Sequence, residues 1–363
     1  MLTRLLLRAH LAILGLSVVN LAYLRLTRRH RARPVQWPMV SVLVPARNEE
    51  ASLPRLLASL LAQEYPGTFE VIIVDDASED DTWKVLQRHA DPRLRAIRSA
   101  GPAAGWIGKN HALYTAAGAA GGDVLLFLDA DARLIDEHAL ARLVERHTAL
   151  GAGAAMSGLP RYADRGPALW LTSLVPMAAM STLPLPLVRA TRTPTVSALN
   201  GQCWLVSTNV YRRLQPHAAL RSAVLEDVEI GRLLKRAGVP LALRDLADEI
   251  EVEMYRSFGE AWHGFRKNAY LLQGGRPVPF WLLHAAYVML YVVAPRRDVR
   301  LLATTFALKA ISDRASRLPW RILPMTTLSL LAGGLLQLDS ARAHWSRRVE
   351  WKGRAVVSGP GVA

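Results

Sequence analysis

Cysteine, lysine and acidic residues are scarce in this chain, and each shortage excludes something. A single cysteine, Cys203, among 363 residues rules out an internal disulfide, so neither a disulfide-built secreted domain nor a cysteine-cluster zinc site is open to it. A reducing compartment is the simpler reading. Only 6 of the 45 basic residues are lysine, the rest being arginine, and 30 acidic residues leave a net charge of +15. With 51% hydrophobic residues the chain is too apolar to be disordered, and no glycine period suggests a fibrous one. A basic balance suits either nucleic acid or an anionic lipid surface. Placement favours the membrane and argues against nucleic acid: Arg25, Arg28, Arg29, Arg31 and Arg33 follow directly on an apolar run.

That run, residues 9–24, holds no formally charged side chain. As a helix it would span roughly 24 Å, a little short of the ~30 Å hydrocarbon core, and snorkelling by Arg8 and Arg25 closes the gap. The arginines sit where small residues would be needed for signal-peptide cleavage, which favours a retained anchor. Because they outweigh Arg4 and Arg8 before the run, the positive-inside rule places the following domain on the cytoplasmic face of the inner membrane. Uncharged stretches return at 278–294 and 322–338, while 301–311 carries Lys309. Two crossings would keep Arg342, Arg347, Arg348, Lys352 and Arg354 inside, yet leave Arg296, Arg297, Arg300, Arg314, Arg317 and Arg321 outside. Helices lying in the interface are the alternative for some of these segments. Residues 169–188 are also uncharged, but Pro176, Pro184 and Pro186 break any continuous helix. A buried core segment is the plain reading of that run, and a membrane-facing flap near an acceptor site the sharper one. The expected organisation is an anchor and basic segment over 1–33, a central domain over 34–275, membrane or interfacial helices over 276–340 and a basic tail over 341–363.

The central domain alternates strand and helix. The pattern predicts strands at 40–44, 69–74, 94–98 and 124–128, and helices at 49–61, 81–89 and 109–120. Such alternation predicts an α/β, Rossmann-like, mostly parallel sheet that binds ligands at the carboxyl ends of its strands. Two familiar nucleotide motifs are absent. The first strand runs into Pro45-Ala46-Arg47-Asn48-Glu49-Glu50, which lacks a dinucleotide glycine fingerprint. Gly108-Lys109-Asn110 ends like a phosphate loop, but Ala103 and Asn110 occupy positions where a Walker motif needs glycine and a hydroxyl.

Acids fall where the apolar strands stop: Asp75 and Asp76 after 71–74, Asp129 and Asp131 after 124–128. Carboxylates massed on one sheet edge repel each other and call for a cation. A hard divalent ion such as Mg²⁺ or Mn²⁺ takes oxygen ligands and commonly bridges to substrate phosphates. Asp129 and Asp131, two residues apart on an extended segment, share a face and can address one site. Further on, Glu226 and Asp227 open a helical run closed by Gly238; taken alone, Asp227 reads as an N-cap or first-turn acid.

These motifs together resemble the family 2 glycosyltransferases, whose GT-A fold binds a nucleotide-sugar, over roughly residues 39–268. Val44-Pro45-Ala46-Arg47-Asn48-Glu49 is similar to the family's first-strand motif lining the nucleotide pocket, and Val74-Asp75-Asp76-Ala77-Ser78 to its second. Gly108-Lys109-Asn110 resembles the segment beside the diphosphate, Asp129-Ala130-Asp131 the metal-binding signature, and Glu226-Asp227 the acidic pair whose aspartate serves as general base. Where processive polysaccharide synthases of the family carry Gln-x-x-Arg-Trp, this chain has Trp262-His263-Gly264-Phe265-Arg266-Lys267-Asn268.

The resemblance therefore implies a membrane-anchored enzyme that glycosylates carotenoid, hopanoid or other isoprenoid-type lipids. It implies transfer of one sugar, with inversion, from a nucleoside-diphosphate sugar donor to a lipid acceptor. Asp131, supported by Asp129, would hold the metal; Asp227, with Glu226 beside it, would take the acceptor proton; Lys109, Arg266 and Lys267 would add positive charge at the diphosphate. A processive polysaccharide synthase and a non-catalytic basic membrane-binding protein are the rival readings.

Overall fold

The computed structural model describes residues 1–355 and divides them into two compact units. One comprises residues 26–161 and 185–252, the other residues 1–25, 162–184 and 253–355.

Apolar strands build the first unit. β1 (Val40–Ala46), β2 (Phe69–Asp76) and β4 (Val124–Leu128) are nearly continuous runs of buried side chains, the pattern of parallel strands covered on both faces. With β3 (Leu94–Ser99), β6 (Ala155–Leu159), β7 (Cys203–Ser207) and β8 (Leu241–Asp245) they form a sheet ordered β3-β2-β1-β4-β7-β6-β8. β1 runs parallel to both β2 and β4, and β6 parallel to β8; β7 alone is reversed, with Cys203 opposite Leu128. The carboxyl ends of β1, β2 and β4 thus share one rim with the start of β7. The helix Leu53–Leu61 covers the sheet with Leu53, Leu56, Leu57 and Leu60, the i, i+3, i+4, i+7 stripe of an amphipathic helix. A short β5 (Ala132–Leu134) pairs antiparallel with β9 (Ile250–Val252).

The basic stretch after the first apolar run is not wholly offered to lipid. Arg28 pairs with Asp248, and Arg31 Nη2 lies 3.4 Å from Oε1 of Glu249. Glu249 is fully buried and also meets Arg146 at 3.1 Å and Arg142 at 3.5 Å. A buried carboxylate needs such partners, so Arg31 serves the fold.

In the second unit the N-terminal helix is longer than the apolar run alone suggests, Leu2–Thr27. Its buried side chains His10, Ser17, Asn20 and Leu24 recur at steps of seven, three and four, a heptad seam that is mostly polar. His10 engages Thr304 Oγ1 at 2.9 Å and the Leu290 carbonyl at 3.0 Å. Ser17 donates to the Met180 carbonyl, and Asn20 to the carbonyls of Met180 and Leu183, at 2.7–3.1 Å. The proline-bearing run breaks into Ala168–Thr172 and Leu174–Thr182 here and Leu185–Ala190 in the first unit; 9 of the 20 residues over 169–188 are buried and the rest half-buried or exposed, so the core reading of the run holds in part. Asn20 thereby satisfies carbonyls left open where the second of these helices ends. Among the described residues three helices are long and apolar enough to cross a membrane: Leu2–Thr27, Pro277–Arg296 and Trp320–Trp345. The stretch carrying Lys309 lies in the helix Val299–Ala315, where Lys309 Nζ meets both oxygens of Asp313 at 2.5 and 2.6 Å. Residues 356–363 of the basic tail lie outside the described residues.

Candidate active site

The loops leaving β1 and β2 are tied to each other. Arg47 donates to the carbonyls of Asp76 and Ala77 at 2.9 and 2.6 Å and meets Glu79 at 2.8 Å. The Asn48 N–H donates to Ser78 Oγ, the Glu79 N–H to Asn48 Oδ1, and the Glu49 N–H to Thr82 Oγ1, at 2.7–3.0 Å. Asp75 is fully buried, accepts from the Ser78 N–H at 3.0 Å and lies 3.7 Å from Arg98. Held this way, Asn48 and Ala77 both take φ +52°, a left-handed conformation uncommon outside glycine and retained where the surroundings over-determine it. The rim is therefore a rigid edge.

Along that rim a second group is centred on Lys109, in the first turn of the helix Gly108–Ala119. Its ammonium lies 2.8 Å from Asp129 Oδ1 and 3.1 Å from Glu226 Oε1. Burial alone would lower the Lys109 pKa, but the carboxylates of Asp129, Glu226 and Asp227 outweigh it and hold the ammonium above its usual range. Asp227, in the first turn of the helix Glu226–Arg236, accepts the N–H of Gly201 at 3.3 Å and of Val228 at 2.8 Å. Burial, with Glu226 alongside, pushes its carboxyl up to about 6 against the pull of Lys109 and of those two N–H groups. Gly201 closes the group: a Cβ there would stand 3.3 Å from Asp227 Cβ and 3.4 Å from both Glu226 Oε1 and Lys109 Nζ. Asp131 sits in the turn between β4 and β5, which the Ala132 N–H closes on the Asp129 carbonyl at 3.1 Å.

The donor set fits a hard divalent ion. Asp129 and Asp131 bring carboxylate oxygens to one short turn, and Lys109 neutralises only part of the surrounding negative charge. Among the described residues no group of three or more His, Cys, Asp or Glu side chains forms a closed metal cage.

Asn110, the neighbour of Lys109, faces inward. It is fully buried, and its amide donates to the carbonyls of Leu220, Arg221 and Ala223 at 2.9–3.4 Å. Those carbonyls belong to the segment that leads into Glu226 and Asp227. Upstream, His217 is buried against Phe127, Trp204 and Tyr211, and its Nδ1 lies 2.8 Å from Tyr211 Oη. Burial lowers its pKa to about 3, so it stays neutral. Two buried polar anchors thus fix the approach to Asp227. Asn110→Ala is expected to destabilise the fold by about 1–3 kcal/mol, the cost of losing the hydrogen bonds that its buried amide makes to this segment. It is also expected to slow turnover beyond any loss of folded protein, which thermal melting alongside initial rates will measure.

The structure brings Pro45, Arg47, Glu49, Asp75, Asp76, Lys109, Asn110, Asp129, Ala130, Asp131, Glu226 and Asp227 onto the elements of one rim. Arg266 and Lys267 belong to the other unit, on the helix Phe258–Leu272. There Arg266 donates to the Arg348 carbonyl at 3.1 Å, and Lys267 Nζ stands 4.0 Å from the centre of the Trp351 ring. Cys203 is buried at the start of β7, and burial pushes its thiol well above the usual range, which leaves it inert as a nucleophile. Gly201 is the rim residue to which sequence reading gave no role; its closeness to Glu226 and Asp227 arises only in the fold, and no local signal marks it.

A mostly parallel α/β sheet with acid-bearing loops along its carboxyl edge is the arrangement of a GT-A-type fold. Residues 41–215 match the family model for glycosyl transferase family 2, so the chain carries a domain of that family and is a glycosyltransferase. Its likeness to a curated 4,4'-diaponeurosporenoate glycosyltransferase of Staphylococcus haemolyticus reaches 25% identity, over 94% of this chain and 96% of that one. A beta-monoglucosyldiacylglycerol synthase of Nostoc is 35% identical over 34% of this chain and 27% of its own. Among solved structures, mannosyltransferase PcManGT from Pyrobaculum calidifontis, in complex with GDP-Man and Mn²⁺, shares the fold with a TM-score of 0.56 at 21% identity, covering 93% of this chain and 99% of that one.

Proposed function

We propose that the protein transfers a single sugar from a nucleoside-diphosphate sugar to a carotenoid-type membrane lipid, with inversion at the anomeric carbon. The observation that carries this reading is the division of labour around Lys109. Asp129 and Glu226 hold the ammonium, while Asp227 rests on backbone N–H donors with a raised pKa. A carboxyl near 6 is a stronger base than an ordinary carboxylate and is still ionised at neutral pH. In the proposed step the acceptor oxygen attacks the anomeric carbon as the bond to the diphosphate breaks, and the acceptor proton passes to Asp227. Lys109 keeps a positive charge on the rim where the leaving diphosphate gathers negative charge. Asp131, with Asp129, would hold Mg²⁺ or Mn²⁺, which as a Lewis acid would stabilise that diphosphate.

Support for the lipid acceptor comes from the two relatives, one named for a carotenoid acid and one for a glycolipid, and from the apolar helices. We place the catalytic unit on the cytoplasmic face of the inner membrane, from the arginines that follow the first helix. The processive alternative predicts a ladder of products. Membranes containing the protein, incubated with a panel of labelled nucleotide-sugars, are expected to yield one labelled lipid bearing one sugar. Label in a polymer, or none in lipid, overturns the reading.

A further inference from the structure

The second unit contains a groove of about 410 Å³ walled by Leu169, Trp170, Ile322 and Met325, with Arg321 at its edge. Leu169 and Ile322 are nearly fully buried in the walls, whereas Arg321 is exposed. No acid occurs between Asp313 and Asp339, an interval that holds Arg314, Arg317 and Arg321. Both flanking acids are engaged elsewhere. Asp313 is paired with Lys309, and Asp339 accepts from Trp262 Nε1 at 2.8 Å and lies 3.8 Å from Arg266. Arg321 has no carboxylate partner among the described residues. The groove also lies at the start of a helix long and apolar enough to cross a membrane, Trp320–Trp345, beside a Trp320 that is 85% exposed. Tryptophan and arginine at the end of an apolar span are the composition of a membrane–water interface.

From this placement we propose that the groove holds one acidic phospholipid, with its phosphate on the Arg321 guanidinium and an acyl-chain end against Leu169, Trp170, Ile322 and Met325. The planar guanidinium fork matches phosphate oxygens in pairs. A zwitterionic headgroup would bring its own cation to a segment that already carries three arginines, so an acidic lipid is preferred to a neutral one. Apart from Arg321 the walls are apolar, and the volume receives one chain end. The site is independent of the transfer reaction.

Native mass spectrometry of the full chain tests it, with detergent micelles doped with equal amounts of phosphatidylglycerol and phosphatidylcholine. The wild type is expected to retain one phosphatidylglycerol with about five-fold preference, and Arg321→Gln to lose that preference, as one interfacial cation predicts. Arg321→Lys is expected to keep part of it. Equal melting temperatures of the three proteins show that the fold is intact. Millimolar inorganic phosphate, which has no acyl chain, is expected not to displace the lipid. Equal retention of the two lipids by the wild type, an unchanged preference in Arg321→Gln, or displacement by phosphate each overturns the proposal. Displacement by an equimolar isoprenoid carboxylic acid overturns it too, and assigns the groove to the acceptor.

Discussion

Replacing Asp131 by Asn is expected to lower transfer about 1,000-fold with the fold intact, the equivalent of about 4 kcal/mol of lost transition-state stabilisation. Asp129 shares its charge with Lys109 at 2.8 Å, and in the proposed function Asp131 is the carboxylate that would hold the divalent ion. The amide keeps the size of the side chain and one oxygen but removes the negative charge that a hard cation requires. Excess chelator is expected to stop the wild type, and added Mn²⁺ to restore it. Paramagnetic resonance of Mn²⁺ titrated into the protein gives a readout apart from activity: binding that saturates in the wild type and weakens in Asp131→Asn. Full turnover in excess chelator would remove the ion from the scheme and return Asp131 to a turn.

Much of this architecture was legible in the sequence because parallel strands advertise themselves. The strands predicted at 40–44, 69–74, 94–98 and 124–128, the second and fourth ending in acids, gave β1, β2, β3 and β4 with starts that hold and ends short by at most two residues. The helix over 53–61 followed from its leucine spacing, although the pattern put its start four residues early, where Ser52 and Glu49 instead make a turn. Pairing across the rim was not legible. That Arg47 serves the β2 loop, and that Lys109 stands between Asp129 and Glu226, depends on β1 neighbouring both β2 and β4 and on the reversed β7 bringing Gly201 back to the edge. No local signal encodes such long-range neighbours.

The membrane-type segments show the complementary failure. Counting formal charge along residues 9–24 finds a clean anchor, yet the same residues contain His10, Ser17 and Asn20 on one buried seam. Their seven-and-three spacing was visible; what it would meet was not, because its partners at Met180, Leu183, Leu290 and Thr304 lie far along the chain. Similarly, Lys309 looked like an interruption of an apolar stretch, whereas the acid four residues on makes it half of a buried pair.

Asp227→Asn is expected to slow transfer to a hydroxyl acceptor by 10²–10⁴-fold while leaving nucleotide-sugar affinity nearly unchanged, the range for removing a positioned base. In the wild type, transfer should halve near pH 6 and fall further below it, as the raised Asp227 carboxyl takes up its proton. The variant should lose that acid limb. Stability runs the other way. An ordinary aspartate titrates near 3.8 and the folded Asp227 near 6, so the folded state binds the extra proton between them. The ionised side chain therefore disfavours the fold above pH 6, and Asp227→Asn is expected to melt no lower than the wild type at pH 7. An acid kept for structure would behave oppositely, with a lower melting temperature and equal losses in binding and turnover. The acceptor sets the size of the kinetic effect. A relative aligned over nearly the whole chain is named for a carotenoid carboxylate, and a carboxylate acceptor at neutral pH has no proton to give up. For such a substrate Asp227→Asn should cost less than about ten-fold, and the acid limb should follow the titration of the acceptor itself. Measuring the variant against an isoprenoid alcohol and the matching isoprenoid acid therefore separates the two chemistries within one protein. A large loss with the alcohol and a small one with the acid places the base on Asp227, whereas equal small losses with both would take that role from it.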